Sequence, residues 1–112
     1  MRVGAKQELF ASLLPDLIDF ALARGYAVRL RELWRSKEQA AIYAAAGTGI
    51  ANSLHRKGLA IDLVLLKNGR PLWASEQYQE LGEFWESLDD LCSWGGRFGD
   101  GGHFSIMHQG VR

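Results

Sequence analysis

The chain has 112 residues, a length typical of a single domain spanning residues 1–112. Hydrophobic residues make up 47% and aromatic residues 11%, which is enough apolar surface for a packed core and excludes a disordered chain. Thirteen basic residues balance thirteen acidic ones. No net field therefore steers the protein toward a polynucleotide, and nucleic acid is not an expected partner.

The sequence also lacks the usual signals for membrane insertion and export. No apolar run reaches the roughly 20 residues that span a bilayer, so no transmembrane segment is expected. Residues 1–8 lack the apolar stretch of a signal peptide. We therefore expect synthesis in the cytoplasm, with export depending on another protein.

The first third of the chain has the periodicity of a helix, with apolar residues three and four apart over residues 9–22. Because proline lacks the N–H that a helix interior needs, Pro15 predicts a short first turn and then a new helix running to Arg24. Gly25 is the expected stop. Residues 26–34, which carry Val28 and Leu30 among charged residues, predict a half-exposed strand.

The middle of the chain predicts a second helix and a central strand. Ser36 and Gln39 have the spacing of a capping box, and an alanine-rich helix should follow to Ala46. Gly47, Thr48, Gly49, Asn52 and Ser53 predict a loop. Residues 59–66 form an apolar run interrupted by a single acid, Asp62, as expected for a central strand.

The last part of the chain predicts a hairpin, a third helix and a final strand. Asn68-Gly69 is a hairpin signal that should return the chain through residues 70–74. A helix should open at Ser75, and a glycine-rich loop should lead to a short strand at 103–107. The predicted fold class is α+β, with helices packed on a small, mainly antiparallel sheet. The buried stripe of the third helix should contain Leu81, Phe84, Trp85, Leu88 and Leu91.

Asp62 is the first residue whose position calls for chemistry, because burying an unpaired charge costs several kcal/mol. Either an arginine or a metal ion would compensate it. His55 lies in the segment that feeds the strand, and His103 opens the final strand. Two imidazoles and a carboxylate would supply three zinc ligands and leave a fourth position for water. Structural histidines and an ordinary salt bridge remain alternatives at this point.

Three motifs resemble those of a known family. The pattern Ser-x-His-x-x-Gly-x-Ala-x-Asp over residues 53–62 is similar to the signature of the VanY-like D-alanyl-D-alanine carboxypeptidases and L-alanyl-D-glutamate endopeptidases. The Trp-Gly-Gly and Asp-x-x-His-Phe of residues 94–104 resemble its second motif. Residues 35–39 resemble its Arg-Ser-x-Glu-Gln helix start. The motifs occur in the family's order and cover most of the chain.

The resemblance implies a hedgehog/D-Ala-D-Ala-peptidase-like fold and assigns roles to four residues. It implies that His55, Asp62 and His103 bind Zn²⁺ and that Asp100 is the catalytic acid/base. The chemistry suits this role, since a carboxylate in a flexible loop three residues before His103 can take a proton from an attacking water and return it to the leaving amine. Without the motif, Asp100 would be a turn residue among glycines.

The resemblance also suggests a role for Arg35, and the positions of Ser53, Gln39 and Trp94 suggest roles for them, each with a simpler alternative. Arg35 would engage a substrate carboxylate or the developing oxyanion, or else pair with an acid such as Glu32. Ser53 would hydrogen-bond substrate or a ligand residue, or cap its loop. Gln39 could face the cleft as well as cap its helix. Trp94 would pack beneath the metal or belong to the core.

Two residues near these motifs are expected to be inert. Cys92, the single cysteine, cannot form an internal disulfide and should be a small buried thiol. His108 is expected to be exposed.

The function implied is zinc-dependent hydrolysis of peptidoglycan stem peptides by a monomer. The preferred activity is an L-alanyl-D-glutamate endopeptidase of the phage endolysin type, released with help from a phage holin or carried on a phage particle. A D,D-carboxypeptidase of the same family is one alternative. A non-haem iron oxygenase, which also uses two histidines and a carboxylate, and a catalytically inactive zinc-stabilised wall-binding module are the others.

Overall fold

A computed structural model describes residues 1–47, 49–50 and 52–112. These residues form three α-helices, five strands and short 3-10 turns, which confirms the α+β prediction. The 3-10 turns are Leu54–Lys57, Ser75–Tyr78 and Gly95–Phe98. The helices and strands, in chain order, are α1 Val3–Ala23, β1 Ala27–Leu30, α2 Lys37–Ala45, β2 Ala60–Lys67, β3 Arg70–Pro71, α3 Gln79–Leu88, β4 Cys92–Trp94 and β5 His103–Ile106.

The sheet is antiparallel, with strands in the order β1-β2-β5-β4 and β3 paired to β2. The predicted central strand is therefore β2. Its second half pairs with β1 and its first half with β5, in a register that places Asp62 opposite His103. Side chains of directly opposed residues lie on the same face of a sheet. This register therefore brings together a carboxylate and an imidazole that are far apart in the sequence.

The core lies between α1, α3 and the sheet. Trp85 and Phe104 are fully buried, with ring centroids 6.4 Å apart in an edge-to-face arrangement. The Trp85 indole N–H donates a 3.1 Å hydrogen bond to the Ser105 carbonyl, so its polar atom is satisfied inside the core. Phe10 packs on Trp85 from α1. No helix in the described ranges combines the length and apolar character needed to cross a membrane.

Helix α1 does not break at Pro15, contrary to the prediction. The helix is continuous from Val3 to Ala23. Pro15 and Ala11, whose carbonyl loses its usual partner, are both exposed, so water can satisfy that carbonyl. The buried stripe of Phe10, Leu17 and Ala21 continues past the proline and holds the helix in place by tertiary packing.

Several predicted boundaries also differ from the structure. Strand β1 ends at Leu30 rather than residue 34. Beyond it, the Asp62 carbonyl accepts from the Arg31 N–H while the Asp62 N–H donates to the Glu32 carbonyl, so two residues face one and the regular ladder is interrupted. Strand β3 has two residues instead of continuing to 74. Helix α3 ends at Leu88, where Asp89 takes an extended conformation, so Leu91 lies beyond it. Strand β4 was not predicted, since its three residues are too few to show a period.

Other local predictions are confirmed. Ser36 is the N-cap of α2, and its hydroxyl accepts a 3.0 Å hydrogen bond from the Gln39 N–H. Asn68 and Gly69 both have positive φ, 52° and 76°, as a tight hairpin turn between β2 and β3 requires. The thiol of Cys92 is buried, and burial raises its pKa to about 12. In the predicted loop at 47–53, Thr48 lies outside the described residues.

His108 is buried rather than exposed, because the end of the chain folds back onto α1. The Lys6 ammonium donates a 2.9 Å hydrogen bond to the Met107 carbonyl and lies 3.1 Å from the Nδ1 atom of His108. Lys6 is itself only 8% exposed. Burial and the neighbouring Lys6 charge both lower the pKa of His108. The contact thus requires a neutral imidazole.

This contact predicts a loss of stability in mild acid. Above about pH 6.5, the ordinary histidine pKa, His108 is neutral in both the folded and unfolded chain and its contribution is fully present. Below that value the unfolded chain binds the proton more readily, so the free energy of unfolding falls. The free energy of unfolding in urea should therefore fall less for His108→Gln than for the parent when the pH is lowered from about 7.5 to about 5.5. The rest of the chain is identical in the two proteins, and equal losses would contradict the assignment.

Candidate metal centre and cleft

The structure brings His55, Asp62 and His103 together, with one potential ligand atom from each within 4.8 Å of the others. His55 lies in the 3-10 turn before β2, which ends at Gly58 with φ 66°. A left-handed conformation at that point suits glycine and reverses the chain into the strand. Asp62 and His103 face each other across β2 and β5. Three separate elements thus converge on one point.

The distances between these side chains fit a bound metal ion. His55 Nε2 lies 3.4 Å from Asp62 Oδ2, and His103 Nδ1 lies 3.5 Å from Asp62 Oδ1. Tetrahedral ligands about 2.1 Å from zinc are separated by about 3.4 Å. Asp62 Oδ1 is buried and has no hydrogen-bond partner within the described part of the chain. An unsatisfied buried carboxylate oxygen beside two imidazoles is what a cation site presents.

The hydrogen bonds of His55 orient its ring toward this point. Its Nδ1 atom lies 3.2 Å from the Leu33 carbonyl, which can only accept a hydrogen bond. The ring proton therefore resides on Nδ1, and the lone pair of Nε2 points toward Asp62. The backbone is also fixed, since the Arg35 N–H donates to the His55 carbonyl at 2.8 Å. A carbonyl on the remote ring nitrogen is the usual support of a metal-binding histidine.

Asp62 is held ionised by its neighbours. Burial by itself would raise the pKa of this carboxyl, but contacts with His103 and His55 outweigh burial and hold the pKa below its usual value. The group is therefore an anion near neutral pH. An anionic carboxylate between two imidazoles is a competent donor set for a divalent cation.

A cleft of about 360 Å³ opens over the three residues. Arg35, Ser53, Phe98 and Asp100 line it together with the three candidate ligands. Phe98 is half-exposed, and its ring centroid lies 5.8 Å from that of His103. The cleft therefore combines an apolar wall with charged groups around the histidines.

The loop that carries Asp100 is held by hydrogen bonds along its length, although it was expected to be flexible. The Asp100 N–H donates to the Gly95 carbonyl at 2.8 Å, and the His103 N–H donates to the Asp100 carbonyl at 3.1 Å. The Gly101 N–H donates to the Ser75 hydroxyl at 3.0 Å. The Leu63 N–H of β2 donates to the Gly102 carbonyl at 2.8 Å.

The glycines of this loop permit close packing. A Cβ atom on Gly95 would overlap the Asp100 carbonyl and lie 2.6 Å from the Cβ atom of His103. A Cβ atom on Gly101 would lie 2.6 Å from the Cα atom of Ser75. Since these contacts fix the backbone on both sides of Asp100, they set where its carboxylate stands relative to His103.

The Asp100 carboxyl has a raised pKa. Partial desolvation at the cleft wall is the main cause, and the Asp62 charge adds to it, while the nearby histidines and Arg35 act in the opposite direction. A divalent cation at the site would also favour the ionised form. Carboxyl groups with perturbed pKa values cluster at functional sites, which makes Asp100 a candidate acid/base residue.

Arg35 forms the ion pair with Glu32 that was the alternative prediction for it. Its Nε atom donates a 2.7 Å hydrogen bond to Glu32 Oε1, and its Nη2 atom contacts the same oxygen. That oxygen lies 3.9 Å from Nδ1 of His55, so Glu32 links the arginine to the candidate metal ligand. The guanidinium also stacks over the Tyr43 ring at 4.7 Å. Arg35 remains in the cleft wall with this ion pair formed.

Of the remaining predicted residues, Ser53 and Trp94 support the backbone of the site through hydrogen bonds. Ser53 is buried, and its hydroxyl accepts a 3.2 Å hydrogen bond from the His55 N–H, which is the loop-capping alternative. The indole N–H of buried Trp94 donates to the Gly101 carbonyl at 2.8 Å. Gln39 is half-buried on α2 and, among the described residues, is not part of the cleft wall.

Residues that sequence reasoning missed come from distant parts of the chain. Ser75 clamps the Asp100 loop from the turn before α3, and Arg112 lines the cleft from the far end of the sequence. Neither position carries a local pattern that indicates such a role. Phe98 lies inside the recognised second motif, so its position beside His103 was open to inference.

Comparisons with known proteins identify the family. A family profile described as D-alanyl-D-alanine carboxypeptidase, of peptidase family M15, matches residues 46–106. The match covers more than half of the chain, and the chain belongs to this peptidase family. Among solved structures, it is similar to the L-Ala D-Glu endopeptidase ChiX of Serratia marcescens. The two share 26% sequence identity over 83% of this chain and 79% of that chain, with a TM-score of 0.67. The comparison with curated proteins gave no match.

The packing of the Asp100 loop yields a testable prediction. Gly95→Ala should lower the free energy of unfolding by about 1–3 kcal/mol, because the added methyl group must displace the Asp100 carbonyl or His103. Gly4→Ala is the matched control, since a Cβ atom there meets nothing within 4 Å and alanine favours the helix. Urea unfolding of both variants checks the prediction, and a Gly95→Ala protein as stable as the control would contradict it.

Proposed function

We propose that this protein is a zinc-dependent peptidase that cleaves the L-alanyl–D-glutamate bond of peptidoglycan stem peptides. The convergence of His55, Asp62 and His103 in a cleft that also contains Asp100 carries the proposal. Membership of a peptidase family and likeness to an L-Ala D-Glu endopeptidase support it. Such an enzyme works at the cell wall, and release by a phage holin or carriage on a phage particle belongs to the same proposal.

The three side chains suit zinc because the donor set is two imidazoles and one ionised carboxylate, at separations expected of its ligands. When bound, the ion would supply Lewis-acid chemistry at the scissile carbonyl and lower the pKa of a water molecule. The same donor set also suits non-haem iron. Membership of a peptidase family favours hydrolysis over oxygenation.

Asp100 is the candidate general base. Its carboxylate faces the same cleft as the three ligands, on a loop fixed by hydrogen bonds. It would accept a proton from the attacking water and deliver it to the departing amine. An ionisable residue held in this position argues against an inactive wall-binding module. Arg35 would place positive charge beside the substrate carbonyl or a substrate carboxylate, with Glu32 holding the guanidinium in orientation.

The shape of the site favours an endopeptidase over a D,D-carboxypeptidase. A second recess of about 180 Å³ shares Asp62 and Asp100 with the main cleft. Space on both sides of these carboxylates allows a peptide to continue in both directions from the scissile bond. A carboxypeptidase needs room for only one terminal residue beyond that bond. The D,D-carboxypeptidase activity remains the second candidate because the family profile carries that description.

Digestion of purified peptidoglycan tests which bond is cut. With zinc present, mass spectrometry of the released fragments should show new N-terminal D-glutamate on the soluble peptides and C-terminal L-alanine on the glycan-linked remainder. A chelator should abolish release, since the catalytic ion is lost. Free D-alanine as the main product would instead identify the carboxypeptidase.

Replacement of Asp100 separates catalysis from metal binding. Asp100→Asn keeps the shape of the side chain but cannot accept the proton, so kcat should fall by about 100-fold or more with zinc content unchanged. His103→Ala is the comparison variant and should lose both zinc and activity. Zinc is measured by elemental analysis after dialysis. An Asp100→Asn enzyme with nearly full activity would show that another group is the base.

A further inference from the structure

The second recess has chemistry of its own on the side away from the histidines. Arg31, Trp73 and Ser75 line it together with Asp62 and Asp100. Arg31 directly follows β1, and its backbone N–H donates to the Asp62 carbonyl at 2.8 Å. A peptide held over Asp62 and Asp100 would therefore extend past this arginine.

The Arg31 guanidinium is available to a ligand. The residue is exposed, and within the described ranges no carboxylate forms an ion pair with it. Tyr78 lines the same recess, and its hydroxyl donates to the Leu72 carbonyl at 2.6 Å and accepts from the Leu65 N–H at 3.1 Å. That hydroxyl is already used in fixing β2. Arg31 differs in this respect from Arg35, whose guanidinium is taken by Glu32.

Trp73 forms an exposed apolar wall on a fixed segment of backbone. Its side chain is 70% exposed, which is unusual for so large an apolar group. The residues on both sides are anchored, since the Leu72 N–H donates to the Leu65 carbonyl at 2.8 Å and the Ala74 N–H to Gln77 Oε1 at 3.0 Å. An indole held in this way at the mouth of a recess can pack on a ligand at little cost in conformational entropy.

The charges of the recess determine which ligand it suits. Asp62 and Asp100 would repel a substrate carboxylate, and among the described residues Arg31 is the cation that lines this recess. A guanidinium binds a carboxylate through paired N–H groups, so it can offset that repulsion and fix the carboxylate in register. Stem peptides carry a free carboxylate on D-glutamate, next to the bond cut in the proposed reaction.

The geometry points to a substrate subsite in which Arg31 binds the free α-carboxylate of the residue following the scissile bond, with Trp73 packing against the peptide. This inference rests on the proposed function and adds its specificity. The leaving-amine side of the substrate would then occupy the second recess. The L-alanine side would occupy the main cleft, which Arg35 and Phe98 line.

Two synthetic peptides with the L-Ala–γ-D-Glu–diaminopimelate sequence test the subsite, one with the free α-carboxylate and one with the α-carboxamide. The parent enzyme should prefer the carboxylate by about 10- to 100-fold in kcat/KM, as expected for a charge-assisted pair. In Arg31→Gln, kcat/KM should fall by that factor on the carboxylate peptide and change little on the carboxamide peptide. Arg31→Lys should keep part of the preference for the carboxylate. Arg29→Gln removes the same charge from a β1 residue outside the recess and should keep the preference.

Binding to the inactive Asp100→Asn protein, measured by calorimetry, separates this inference from the proposed function. If the parent leaves the L-Ala–D-Glu bond intact but Asp100→Asn binds the carboxylate peptide in an Arg31-dependent way, the reaction is wrong and the subsite stands. If the bond is cut with no carboxylate preference, the subsite is wrong and the reaction stands. Equal loss on both peptides in Arg31→Gln would show a purely structural role and overturn the subsite.

Discussion

The site depends on the register between β2 and β5, which sets Asp62 directly opposite His103. A shift of one residue would turn Asp62 to the opposite face of the sheet and expose Ile61 in its place. The apolar residues of β2 on the other face, Leu63 and Leu65, are almost fully buried and resist such a shift. Core packing on one face of the strand thus fixes the chemistry on the other.

The loops around this strand pair are held nearly as firmly. His55 is oriented from behind by a backbone carbonyl, and the Asp100 segment is hydrogen-bonded to Gly95, Ser75 and β2. The indole of Trp94 supports the same segment from the core. The candidate site is therefore preorganised, and these groups do not have to be ordered when a ligand binds.

The main cleft and the second recess differ in charge, which suits a substrate whose two ends differ. Arg35 on one side is neutralised in part by Glu32, whereas Arg31 on the other side has no carboxylate paired with it among the described residues. An anionic group therefore gains more on the Arg31 side. If the proposed function holds, this difference sets the direction in which the peptide lies across Asp62 and Asp100.

Local sequence patterns determined the helices, the N-cap at Ser36, the Asn68-Gly69 turn and the central strand around Asp62. Each of these depends on residues that are close together in the sequence. The tertiary structure decided what depends on distant contacts. Packing carried α1 through Pro15, the return of the chain end buried His108 against Lys6, and the recesses combined residues from separate elements. Periodicity carries no information about such pairings, since they arise only when the sheet and helices have assembled.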